Sequence, residues 1–93
     1  MQIPPSNLDE ELRAAILAAL AADNRTAGVD LRVGVLNGIT HLAGTVGSLA
    51  IRTAAEELAI HVRGIRGVVN RIESPGAPSP ARTVNLNLKN EEQ

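Results

Sequence analysis

Leu31-Arg-Val-Gly-Val-Leu-Asn-Gly-Ile-Thr-His-Leu-Ala-Gly-Thr-Val46 is the stretch that decides the fold. Leu31, Val33 and Val35 alternate with Arg32 and Gly34, the period of a strand with one buried face. Asn37-Gly38 follows at once. Both central positions of a tight hairpin turn need positive φ, and asparagine followed by glycine supplies them at least cost. Ile39 to Val46 is then the returning strand, with Thr40, Leu42, Gly44 and Val46 on one face and Ile39, His41, Ala43 and Thr45 on the other. Gly44 weakens that strand by removing a side chain, so its expected use is to let a helix come close over the sheet.

Upstream, Leu8, Leu12, Ile16 and Leu20 recur every four residues beside Ala15 and Ala19. That is one apolar stripe on a helix from about Leu8 to Ala22. Pro4-Pro5 bars an earlier start, Ser6 or Asn7 can cap the first amides, and Asn7 with Glu10 has capping-box spacing. Asp9, Glu10 and Glu11 sit at the positive end of the helix dipole. Downstream, Ser48 can cap a second helix, about Leu49 to Arg63. It carries Ile51, Ala55, Leu58, Ala59 and Val62 on one side, with Arg52, Glu56, Glu57 and Arg63 expected in water on the other. Arg52 and Glu56 form an i,i+4 pair there. Gly64 before Ile65 fits a left-handed C-cap, and Val68 to Ile72 is a third strand. The order is helix, strand, strand, helix, strand, that of a small α/β (α+β) domain. Its expected core is Leu12, Ile16, Leu20, Leu31, Val33, Val35, Leu42, Val46, Ala55, Leu58, Val62 and Val68.

Residues 7–73 make up this domain. Residues 74–81 read as a Pro/Gly/Ser linker and 82–93 as a C-terminal tail. The tail is unusual, because Val84, Leu86 and Leu88 alternate against Thr83, Asn85 and Asn87. A three-stranded sheet leaves two edges open. Residues 83–88 are therefore expected to add a fourth strand, paired in cis or exchanged between subunits.

Composition narrows the function. The 93 residues include no Cys, Phe, Tyr or Trp; the apolar set is 14 Ala, 11 Leu, 8 Val, 7 Ile and Met1. Thiol chemistry, disulfides and Cys-based metal sites are excluded, as is a single-strand nucleic-acid platform of stacked aromatics. Net charge is −1, so no global field steers the chain to a polyanion. Residues 12–72 nevertheless hold seven Arg against Asp23, Asp30, Glu56 and Glu57, a balance of +3. The N-terminal eleven residues contain no base and three acids, unlike a signal peptide. Ala14 to Ala22 is far too short to span a bilayer. A cytoplasmic location and no transmembrane segment are the expectation, with a periplasmic one if a segment precedes this sequence.

Asp9 to Ile72 resembles a BON domain, the module named for bacterial osmotically induced and nodulation proteins. The hairpin matches its strand, turn and "V-x-L-x-G-x-V" pattern. Ala54-Ala-Glu-Glu-Leu-Ala59 and Val62-Arg-Gly-Ile-Arg-Gly-Val-Val-Asn-Arg-Ile72 match its "A-x-x-x-A", "V-x-G-V" and "V-x-N-x-I/L". The hallmark glycines fall on Gly38, Gly44 and Gly64 and the asparagine on Asn70. Thr40 stands where valine is usual, and Gly47 replaces a commoner polar or proline residue. The resemblance implies two helices on one face of a three-stranded sheet. It also implies binding of phospholipid surfaces or other partners, not catalysis, and it transfers no catalytic or ligand residues.

The residues themselves agree that no catalytic constellation is present. His41 and His61 lack a neighbouring acid, and Glu56 and Glu57 point about 100° apart on a helix. No metal set and no cofactor site emerges. Gly44-Thr-Val-Gly47 and Gly64-Ile-Arg-Gly67 are GxxG tetrads, but they join strand to helix and helix to strand, whereas a backbone-clamping GxxG joins two helices. What is left is a surface of Arg32, Arg52, Arg63, Arg66 and Arg71. The expected function is a non-enzymatic interaction module making protein–protein contacts or self-assembling. An anionic phospholipid surface is the alternative, and binding of a nucleic-acid backbone a weaker one.

Overall fold

The computed structural model of the chain describes residues 7–75 and 82–86. Helix α1 is Asn7–Ala22, strands β1 and β2 are Arg32–Leu36 and Ile39–Thr45, helix α2 is Leu49–Ile60, and strands β3 and β4 are Gly67–Glu73 and Arg82–Asn85. The sheet order is β1-β2-β3-β4. β1 and β2 form an antiparallel hairpin, β2 and β3 pair in parallel through the α2 crossover, and β4 returns antiparallel to β3. The α-β-β-α-β reading therefore stands, and the alternating tail supplies a fourth strand in cis. The capping reading of Ser6 and Asn7 lies outside the described side chains. The linker from 76 to 81 and the tail from 87 onward lie outside the described residues.

The core is aliphatic. Leu12, Ile16 and Leu20 of α1 and Ala55 and Ala59 of α2 meet Val33, Leu42, Val46, Ile65, Val68 and Ile72. The four-residue stripe on α1 and the period of two in the strands put these residues on facing surfaces. Of the expected core, Leu31, Val35, Leu58 and Val62 are only partly buried at its rim, while Ile65 and Ile72 are more deeply buried members.

Asn37 and Gly38 have φ of 53° and 79°, as their turn requires. Gly44 has φ of 139°, but no helix approaches it. A Cβ there would stand 3.0 Å from the carbonyl oxygen of Asp30 and 3.0 Å from Leu31 Cδ2. The glycine admits the chain entering β1, because β1 is an edge strand whose lead-in crosses the end of β2. Helix α2 stops at Ile60, before the expected Arg63. His61 caps it, and Gly64 takes the left-handed conformation within the following turn.

Thr26 closes α1 from a distance, its buried hydroxyl donating to Leu20 O at 2.6 Å. Asp23 beside it is held well below the usual carboxylate range, at about 2, by the side-chain hydrogen bond from Arg25. A folded-state pKa below the unfolded value means this loop gains from ionised Asp23 above pH 3.8 and loses that gain as pH falls toward 2. Carboxyl chemical shifts followed by NMR are expected to titrate Asp23 near 2 in the native chain; a midpoint near 3.8 would remove the contact from solution.

Thr40 lies at the centre of the covered sheet face, fully buried between Val35 and Val68. Its hydroxyl has no hydrogen-bond partner among the described residues. An unpaired buried hydroxyl costs about 1–3 kcal/mol. Thr40→Val keeps the shape and is expected to raise the unfolding free energy by about 1 kcal/mol in urea. An unchanged or lower midpoint would show that the hydroxyl is satisfied.

Candidate functional site

Both helices cover the same side of the sheet, and among the described residues the other side is open. Period-two alternation assigns residues to that open side, and register sorts them into rows. Leu36, Ile39, Gly67 and Asn85 form the row at the hairpin end. Gly34, His41, Val69 and Thr83 form the next, then Arg32, Ala43 and Arg71, and finally Thr45 with Glu73. Leu36 is 59% exposed, the largest value among the exposed large hydrophobic residues of the described chain. The face thus grades from apolar to charged along the strands.

At the charged end, Asp30, Arg32, Ala43, Gly44, Thr45, Arg71 and Glu73 line a cleft of about 360 Å³. Arg32 and Arg71 flank the small Ala43, each one strand away, so their Cα atoms stand about 10 Å apart. Neither side chain makes an ion pair or hydrogen bond with a described residue. Two guanidinium groups and two carboxylates share the cleft, so its formal charge is zero although each group is available.

The five arginines read from the sequence do not converge. Arg32 and Arg71 come together on the open face. Arg52 does not belong to any surface: it is 7% exposed on α2, and its Nε donates to Ile72 O at 2.7 Å. Glu56, expected in water, is also 7% exposed and accepts from Asn70 Nδ2 at 3.1 Å. The reason lies in the sheet edge. Glu73 O accepts from Val46 N on the β2 side, so alternation turns Ile72 toward the other edge, past the register of β4, which begins at Asn70. There Asn70 Oδ1 accepts from Ile72 N at 3.0 Å while Arg52 meets Ile72 O. Buried backbone groups need partners, and α2 brings the charged residues inward to provide them.

Arg66 is at the opposite end of β3 from Arg71. Its backbone N donates to Gly38 O at 2.8 Å, its Nη1 donates to Asn37 O at 3.3 Å, and its side chain lies where a Cβ on Gly38 would fall. Arg63 is exposed in the turn after α2. From the other side, Asp9 of α1 is buried at 5% exposure and accepts from Asn37 N at 2.9 Å and Gly38 N at 3.0 Å. This latch sits 28 residues away in sequence, and no local spacing announces it. Arg13 likewise reaches across to Val33 O at 2.9 Å on the edge strand.

His41 is exposed in the middle of the open face, and His61 is exposed at the end of α2. His61 Nδ1 lies 2.7 Å from Glu57 O; a carbonyl only accepts, so Nδ1 carries the proton. The histidines are on separate elements. Among the described residues no group of three or more His, Asp or Glu is placed to hold a metal ion.

The sequence model of the BON domain matches residues 8–75. The chain belongs to the BON family. BON domains are non-catalytic binding modules for phospholipid or protein, and here the residues that carry the family signature are accounted for by the fold. Gly38, Gly44 and Gly64 all have positive φ, and Asn70 accepts from Ile72 N of its own strand and donates to Glu56. None of these four faces the open side of the BON sheet as a reactive group. No curated protein compared with the chain matches it. No helix among the described residues is long and apolar enough to cross a membrane.

Proposed function

We propose that this BON domain is a non-enzymatic interaction module that takes a protein partner on the open face of its sheet. The observation that carries this is the composition of that face. It combines exposed Leu36, partly buried Ile39 and Val69, and a cleft in which Arg32 and Arg71, their side chains unpaired among the described residues, stand beside Asp30 and Glu73. Apolar area with both signs of charge suits a protein surface, whose own charges alternate. A uniformly anionic surface would meet Asp30 and Glu73 as well as the arginines, at a cost in like-charge repulsion.

The test is capture from native-host extract on the immobilised full chain, against Val69→Glu and a control, Glu11→Arg, on the exposed side of α1. Burying a lone charge costs well over the roughly 1.4 kcal/mol that a tenfold loss represents. Partner recovery is therefore expected to fall more than tenfold for Val69→Glu and to hold for Glu11→Arg, with both variants folded by circular dichroism. Equal recovery by all three would put the contact elsewhere.

A second reading, anionic lipid headgroups, has one observation in its favour: Arg32 and Arg71 have no partner among the described residues. It expects the chain to pellet with phosphatidylglycerol vesicles at low salt and Arg32→Gln/Arg71→Gln to stay in solution. No pelleting at either low or physiological salt rejects it.

A further inference from the structure

Asp30-Leu-Arg32 leads into β1, and Arg71-Ile-Glu73 ends β3. These are mirror-image triplets, acid-x-Arg and Arg-x-acid. β1 is antiparallel to β2 and β2 is parallel to β3, so β1 and β3 run in opposite directions. The topology therefore brings both acids to one end of the open face. Both arginines lie about 6.6 Å further in, two residues along each strand. All four residues line the same cleft, floored by Ala43, Gly44 and Thr45.

The geometry points to a second copy of this chain as the occupant of that cleft. This rests on the protein-contact reading of the open face and names its partner. Consider two sheets stacked face to face about a twofold axis that lies across the strands, between the acid row and the arginine row. The rotation reverses order along the strands and keeps order across them, so β1 lies over β1 and β3 over β3. Arg32 then faces Asp30 of the other copy, Arg71 faces Glu73, and symmetry repeats both pairs. A twofold interface must be self-complementary in this way. The other in-plane twofold, along the strands, would set Arg32 against Arg71 and is repelled. The small Ala43 between the two arginines matters because stacked sheets approach to about 10 Å, and a bulky side chain at position 43 would hold the charged rows apart.

The expected dimer is weak. With the axis between the acid and arginine rows, three strands at about 4.8 Å spacing overlap over those two rows, about 13 Å of length, and offer roughly 200 Å² per copy, well below the range of stable interfaces. It is accordingly a concentration-dependent and salt-sensitive association.

Sedimentation equilibrium of the full chain from about 10 µM to about 1 mM, at low and high salt, gives the first measurement. A monomer–dimer equilibrium weakened by salt is expected. The second measurement uses two charge-reversed chains, Arg32→Glu/Arg71→Glu and Asp30→Arg/Glu73→Arg, each checked for native circular dichroism. Each alone is expected to be monomeric throughout, since its rows now repel. Their equimolar mixture is expected to recover the wild-type dimer fraction, because acid rows again face basic rows. A monomeric wild type at the highest concentration overturns the proposal, as does a wild-type dimer that either reversal leaves intact, or a mixture that stays monomeric. If the wild type is monomeric while Val69→Glu still abolishes capture of a foreign partner, the self-pairing fails and the open-face reading stands.

Discussion

Asn70→Leu is expected to lower the unfolding free energy by about 3 kcal/mol. Asn70 is completely buried. Its amide nitrogen meets Glu56 Oε1 at 3.1 Å and its oxygen accepts from Ile72 N at 3.0 Å. Leucine fills the volume but takes a donor from a buried carboxylate and an acceptor from a buried amide. Hydrogen bonds to charged groups are worth about 1.5–3 kcal/mol, and a stranded buried donor adds its desolvation cost. Urea or guanidinium denaturation measures the loss. A drop below about 1 kcal/mol for Asn70→Leu would mean that water or another group satisfies the edge.

Asp9→Ala is expected to cost about 3 kcal/mol and to loosen the hairpin locally before the whole domain unfolds. One carboxylate, 5% exposed, accepts both amides of the Asn37-Gly38 turn. Charge-assisted bonds of this kind are about twice as strong as neutral ones. Alanine leaves two inward amides without an acceptor. Asp9→Asn retains one acceptor oxygen and is expected to lose about half as much. Amide exchange gives the local readout: Asn37 and Gly38 exchange faster in both variants, while Val68 and Ile72 follow global stability. Unchanged protection at Asn37 and Gly38 in Asp9→Ala would show that the turn holds itself.

Both networks bear on the open face although neither touches it. The Asp9 latch fixes the end of the β1–β2 hairpin, and the Asn70–Arg52–Glu56 network holds α2 against β3. Between them they set the register that places Arg32, Ala43 and Arg71 in one row. A slip of one residue in either pairing would turn every side chain of that strand to the opposite face. The charged cleft would then be divided between the covered and open sides.

The sequence by itself determined the elements, because each is written in nearest-neighbour chemistry. Asn37-Gly38 demanded a turn, Leu12, Ile16 and Leu20 a helical stripe, and Val33 and Val35 a strand. Even Val84 in the tail was legible as strand, since a period of two needs no knowledge of the partner. The sequence also carried the glycines and Asn70 that mark the family, and a composition with no thiol and no aromatic side chain. Contacts made across the fold were a matter for tertiary structure. Arg52 and Glu56 read as a solvated i,i+4 pair because helical spacing alone cannot see that the described pairing of β3 with β4 stops at Asn70 and that Arg52 and Asn70 meet the backbone of Ile72 beyond it. Gly44 read as a seat for a helix because the path of residues 30–31 is not encoded beside it. Asp9 read as a dipole charge because its two donors lie 28 and 29 residues away. The arginines separated for the same reason. Position along a chain assigns a residue to a face, but only the antiparallel and parallel pairings decide which arginine stands beside which, and so bring Arg32 to Arg71 and send Arg52 inside.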